Sequence, residues 1–129
     1  MSAIVLDASA LLAMLKEEPG GDAVAQAVTY ARISAVNHAE VVSHFIHAGM
    51  PPEAVEAMLR SLPLEVVTAD RELATLAGKL RAETAVHGLS LGDRFCLAQA
   101  LRDQLPAWTA DRSWSAVAER IGVEVVVIR

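Results

Sequence analysis

The sequence predicts an α/β fold: an open, mostly parallel sheet of five strands with helices on both faces. Three observations predict it. Short apolar runs alternate with helices or helix pairs along the whole chain. The first run, residues 3–6, is apolar at every position, as a strand buried on both faces must be. The 53% hydrophobic fraction is mostly Ala, Val and Leu, with 4% aromatic residues, which suits packed helices against buried strands.

Taken in order, residues 3–6 form a strand that ends at Asp7. Residues 9–17 read as a helix with Leu11, Leu12 and Leu15 on one face. Pro19-Gly20-Gly21 breaks it, and Asp22 caps the next helix, to about residue 30. Residues 32–34 are a brief strand. A helix over residues 36–48 is closed by Gly49, and Pro51 and Pro52 open another to about residue 61. Residues 64–68 form the third strand. Asp70 caps a long helix to about His87, ended by Gly88. Ser90-Leu91-Gly92-Asp93 opens a helix through about Gln104, and residues 107–109 form the fourth strand. Asp111 opens the last helix, to Ile121, before Gly122 and a final strand over residues 123–128.

No linker, low-complexity tract or long repeat divides the chain, so residues 1–129 are read as one domain, a length that buries a core without disulfide staples. The single cysteine, Cys96, excludes an internal disulfide and suits a reducing cytoplasm. The first residues lack the basic start of a signal peptide, and no apolar run is long enough to span a bilayer. Sixteen acids against eleven Lys and Arg give a formal charge of −5. That balance is poor for gripping a polyanion by charge alone, so a nucleic-acid enzyme of this composition needs metal ions or clustered arginines.

Ligands of open parallel sheets bind beyond the carboxyl ends of the strands. Asp7 ends the first strand there, and Asp70 and Asp111 follow the third and fourth. Asp93 stands in the first turn of a helix, and Glu40 one turn inside another. Carboxylates gathered in one place repel one another unless a cation joins them, and Mg²⁺ or Mn²⁺ prefers such oxygen ligands. Each acid also has a plainer reading. Asp7, Asp70 and Asp111 are good helix N-caps, Ser90-x-x-Asp93 has the form of a capping box, and Glu40 suits a solvated helix face.

Four segments carry a family resemblance. Val5-Leu6-Asp7-Ala8-Ser9-Ala10, Asn37-His38-Ala39-Glu40-Val41, Leu89-Ser90-Leu91-Gly92-Asp93-Arg94-Phe95-Cys96-Leu97-Ala98 and Trp108-Thr109-Ala110-Asp111-Arg112-Ser113-Trp114 resemble the four motifs of PIN-domain proteins, nearest to the VapC-type toxins of bacterial toxin–antitoxin pairs. The resemblance implies a PIN-like fold and an Mg²⁺- or Mn²⁺-dependent endoribonuclease that hydrolyses RNA phosphodiesters by metal-activated water. It implies that Asp7, Glu40, Asp93 and Asp111 are catalytic and hold the metal, with the hydroxyls of Ser9 and Thr109 orienting them. It further implies an RNA substrate (tRNA, rRNA or mRNA), a cognate antitoxin laid in an apolar groove, a homodimer and a cytoplasmic location. It selects Asp111 over Asp70, although both sit in the sequence Thr-Ala-Asp-Arg. The alternative is a PIN-like module that binds RNA or protein without cutting.

Arg94 and Arg112 each follow a site acid and are read as contacting substrate phosphates or balancing the acid cluster, the plainer reading being surface ion pairs. Glu40, His44 and His47 share a helix face, but no zinc-protease motif is present. Cys96 reads as a small buried side chain, and Trp108 and Trp114 as core. Leu11, Leu12, Leu15, Phe45 and Met50 either pack in the core or leave an apolar surface for a partner.

Overall fold

Five strands, all parallel, form one sheet in a computed structural model that describes residues 2–129. The elements are β1 (Ile4–Leu6), α1 (Ala8–Leu15), α2 (Gly21–Ala27), β2 (Ala31–Ser34), α3 (Ala35–His47), α4 (Pro52–Arg60), β3 (Glu65–Val67), α5 (Arg71–Lys79), α6 (Arg81–Thr84), α7 (Leu91–Asp103), β4 (Ala107–Thr109), α8 (Ser115–Ile121) and β5 (Val125–Val127). Single 3₁₀ turns at Val28–Tyr30, Ala85–His87 and Arg112–Trp114 extend three of the connections.

The strand order is β3-β2-β1-β4-β5. β1 therefore lies at the centre, pairing Leu6 with Ile33 of β2 on one side and with Trp108 of β4 on the other. The chain builds outward from β1 through β2 and β3, then returns to lay β4 on the opposite side. That reversal makes a switch point between β1 and β4, where adjoining loops part and leave a crevice above the strand ends.

Alternation along β1 divides the core in two. Ile4 and Leu6 face one layer, with Ala10 and Leu11 of α1, Val24 and Ala27 of α2, Val41 of α3 and Val55 and Leu59 of α4. Val5 faces the other, with Leu73 and Ala77 of α5, Phe95 to Ala98 of α7, and Trp114, Val117 and Ile121 around α8. All three β1 residues are buried, which explains why this strand is apolar at every position.

The region read as one long helix from Asp70 to His87 is three pieces. The Leu80 carbonyl accepts both the Glu83 N–H, at 3.0 Å, and the Thr84 hydroxyl, at 2.9 Å. An i→i+3 bond and a back-bonding hydroxyl at one carbonyl interrupt the α-ladder there. The last helix also starts later than predicted, because Asp111 opens a 3₁₀ turn before α8 begins at Ser115. No helix of the described residues is long and apolar enough to cross a membrane.

Candidate active site

Asp7 stands where β1 passes into α1, over the switch-point crevice. Its Oδ1 caps α1 by accepting the Ala10 N–H at 2.8 Å. Ser9 Oγ lies 2.8 Å from both carboxylate oxygens, and Thr109 Oγ1 donates to Oδ2 at 2.6 Å. Thr109 is the last residue of β4, and its hydroxyl also accepts the Asp111 N–H at 3.0 Å. Ser9 accepts the Ala110 N–H at 2.9 Å. The two hydroxyls thus bind the start of α1 to the end of β4 through one carboxylate. Helix capping accounts for Asp7 only in part, since a cap uses one oxygen and here both are held.

Asp7 is almost fully buried, and its pKa is pushed up from 3.8 to about 6. Burial is the largest cause, and the three hydrogen bonds oppose it. The charge of Asp93 adds to the rise. The carboxylate therefore sits in a place that disfavours its own charge, with a second acid near enough to worsen it.

Glu40 reaches the same region from α3. Asn37 Nδ2 donates to its Oε1 at 2.8 Å and to the Gly92 carbonyl at 3.0 Å. Glu40 thereby rests against the first turn of α7, beside Asp93. Asp93 itself forms the capping box with Ser90: its Oδ2 accepts the Ser90 N–H at 2.9 Å, and Ser90 Oγ accepts the Asp93 N–H at 3.2 Å. Cys96, one turn along α7, reports the convergence independently. Its thiol is pushed well up by burial, then by the charges of Asp7, Asp93 and Glu40. The charges of acids on three elements thus add to burial at one sulfur, and this environment suppresses the thiolate that a nucleophile needs.

Asp111 follows β4, the immediate neighbour of β1, but its side chain is exposed and its Oδ1 accepts the Ser113 N–H at 2.9 Å. Asp70 is set apart by topology. It follows β3, the edge strand two places from β1, and caps α5 through the Leu73 N–H at 2.9 Å. Its charge acts on Arg102, at the far end of α7 from Asp93, about 13 Å along that helix.

Arg94 is not the surface residue that the plainer reading took it for. It is buried, at 8% exposure, and forms no surface ion pair among the described residues. Its Nη1 donates to the Ala77 carbonyl at 3.2 Å, in the last turn of α5, where helix carbonyls lack partners and carry partial negative charge. The guanidinium is a C-terminal cap for α5. Arg112 is exposed and donates from Nε to the Arg129 carbonyl at 3.1 Å. His44 stacks edge-on against Phe45, with ring centroids 5.3 Å apart.

Among the described residues, no three of His, Cys, Asp and Glu are drawn together into a ready cage for a metal ion. The donor chemistry nevertheless fits a hard divalent cation. The side chains at the crevice are carboxylates and hydroxyls, and Asp7 is a buried acid whose charge a cation would favour. Asp93 and Asp111 each commit one carboxylate oxygen to a backbone N–H at a helix start.

Sequence reasoning gave no role to Ser34 and Asn37, although both are fully buried and hold Glu40 in place. The signal was local: Ser34 precedes a helix, Asn37 stands three residues on, and Glu40 three further along the same face.

The PIN-domain family model matches residues 4–120. No curated protein matches the sequence. Solved structures share the architecture over nearly all of both chains. One is a DNA-bound VapBC from Salmonella typhimurium, 20% identical over 98% of each chain with a TM-score of 0.72. Another is a toxin–antitoxin complex from Klebsiella pneumoniae, 18% identical over 98% of each with a TM-score of 0.74. A third is VapBC-5 from Mycobacterium tuberculosis, 23% identical over 98% of each with a TM-score of 0.67.

Proposed function

The chain belongs to the PIN-domain family, and on that premise we propose that it is a VapC-type toxin, a divalent-metal-dependent endoribonuclease silenced by a cognate antitoxin. The observation that carries this reading is the buried Asp7 carboxylate, held by two hydroxyls at the switch point, with Asp93 and Glu40 close enough to act on the same buried thiol.

In this reading Asp7, Glu40, Asp93 and Asp111 hold Mg²⁺ or Mn²⁺. The bound ion would supply the positive charge that this acidic chain lacks, acidify a water and stabilise an in-line displacement at phosphorus. Ser9 and Thr109 keep both Asp7 oxygens aimed, so little reorganisation is needed during reaction. Burial of Asp7 keeps bulk water from screening it. Arg112, exposed beside Asp111, would meet an RNA phosphate in this reading. Arg94 is not assigned to substrate, since its side chain is buried and its Nη1 donates to the Ala77 carbonyl of α5.

The apolar residues Leu12, Leu15, Phe45 and Met50 are half-buried on the α1–α3 layer, and Ile46 is 41% exposed. This face suits an amphipathic antitoxin segment, and a homodimer, a single PIN-like domain and a cytoplasmic location complete the reading.

The test is to incubate the purified protein with total tRNA and rRNA, with Mg²⁺, Mn²⁺ or EDTA, and to map new RNA ends. Cleavage should need the ion. Asp7→Asn and Asp93→Asn should each abolish it while leaving the circular dichroism spectrum unchanged; full activity in either variant removes that residue from the mechanism. A second reading has its own support, since Asp93 and Asp111 each already hold a backbone N–H at a helix start. A non-catalytic module that binds RNA or protein would bind RNA, with or without the ion, and produce no new ends.

A further inference from the structure

We propose that Asn37 is a positioning residue that, with Gly92, fixes the Glu40 carboxylate for the divalent ion; the inference rests on the metal-site reading above. The amide is fully buried and its orientation is determined. Ser34 Oγ donates to Asn37 Oδ1 at 2.7 Å while accepting the Asn37 N–H at 3.0 Å. The Glu40 carboxylate and the Gly92 carbonyl can only accept, so Nδ2 must face them and Oδ1 the Ser34 hydroxyl, which can serve either atom. The two Nδ2 hydrogens go to Glu40 Oε1 and to the Gly92 carbonyl, so both donors of the amide are used. One side chain thus joins the end of β2, the first turns of α3 and the start of α7.

Gly92 supplies the other wall. A Cβ at this position would stand 2.6 Å from Cδ and Oε1 of Glu40 and closer still to Oε2. The carboxylate therefore occupies the space a side chain would take, against the helix that carries Asp93. The backbone angle at Gly92 is not in the left-handed region, so the glycine is required for space and not for conformation. Two independent features, a determined amide and a missing Cβ, seat one carboxylate. An ordinary solvated helix glutamate needs neither.

The two features separate in a test. Asn37→Ala removes the donor and cuts a tie between α3 and α7, so it lowers thermal stability as well. Gly92→Ala keeps every backbone bond and meets only the end of a flexible side chain, so the fold stays and the carboxylate moves. Mn²⁺ affinity is measured by calorimetry on the full chain, beside RNA cleavage and thermal melts. Both variants should bind Mn²⁺ about tenfold more weakly, the usual effect of losing a residue that orients a ligand. Cleavage by both should recover as Mn²⁺ is raised, with KM for RNA unchanged. Adding Glu40→Gln to either variant should weaken Mn²⁺ binding no further than Glu40→Gln alone. A folded Gly92→Ala protein with parental Mn²⁺ affinity overturns the inference, as do losses that add in the double variants. A parent that binds Mn²⁺ and cuts no RNA defeats the nuclease reading and leaves the positioning role to stand on the Mn²⁺ data. A parent that binds no Mn²⁺ overturns both.

Discussion

At the scale of single residues, Asp7 carries a consequence that can be measured without RNA. Folded, it keeps its proton up to about pH 6, whereas the unfolded chain releases it near 3.8. Between those values the folded state binds more protons, so stability falls as pH rises. The stabilising contribution is full below pH 3.8 and is lost through pH 6. The gap corresponds to about 3 kcal/mol. In EDTA, the melting temperature of the parent should drop across this window relative to Asp7→Asn, whose buried amide carries no charge to desolvate. Mn²⁺ above pH 6 should restore it by favouring the ionised carboxylate. Parallel pH profiles for parent and variant would show that Asp7 ionises freely in the fold. The position of Asp7 at a strand end was legible, because the apolar run stops on it; its role as a site acid came from the family resemblance alone. The burial of Arg94 was not legible because sequence position beside Asp93 says nothing of direction: one residue further round α7, the side chain reaches the Ala77 carbonyl of α5.

At the scale of elements, the strands, breaks and most caps were legible because their causes are local; Asp22 is the exception, since α2 begins at Gly21 with Gly20 as its cap and no side-chain cap bond. Ser90-x-x-Asp93 closes the capping box its spelling promises, and Pro52 opens α4. The Asp70–His87 helix was not legible as three pieces, since the bond from Thr84 to Leu80 leaves no composition signal. Glycines show the same limit. Gly20-Gly21 and Gly78 look alike as text, but their surroundings differ. A Cβ at Gly21 would meet Ala13, with its carbonyl carbon at 2.6 Å, where α1 and α2 touch backbone to backbone. Gly78 has nothing within 4 Å and lies in the last turns of α5. Gly78→Ala should therefore raise unfolding free energy by roughly 0.5–1 kcal/mol, as helix propensity alone requires. Gly21→Ala should lower it by about 1–3 kcal/mol, since backbone must shift to admit the methyl. Urea unfolding of the two proteins decides it, and equal effects in one direction would mean that the α1–α2 contact is not close.

At the scale of the whole molecule, strand order does what sequence could not. Two copies of Thr-Ala-Asp-Arg differ in what lies beside them: β4 adjoins β1, and β3 lies at the sheet edge. Family resemblance chose Asp111 over Asp70, and topology supplies a physical reason for the choice. The same arrangement concentrates acids at one edge of a chain that already carries a formal charge of −5. RNA approaching that edge without a cation meets like charge, least screened at the buried Asp7. Neutralising two of those acids should therefore change RNA binding in opposite directions under two conditions. In EDTA, the Asp7→Asn/Asp93→Asn protein should bind single-stranded RNA severalfold more tightly than the parent, because repulsion is removed and nothing replaces it. With saturating Mn²⁺ the order should reverse, because only the parent retains the carboxylates that hold the ion against the phosphate. Cleavage must be blocked for the parent measurement, which a non-hydrolysable phosphate linkage in the RNA provides. Affinities that keep the same order with and without Mn²⁺ would place the RNA away from the carboxylates and favour binding on another face of the sheet.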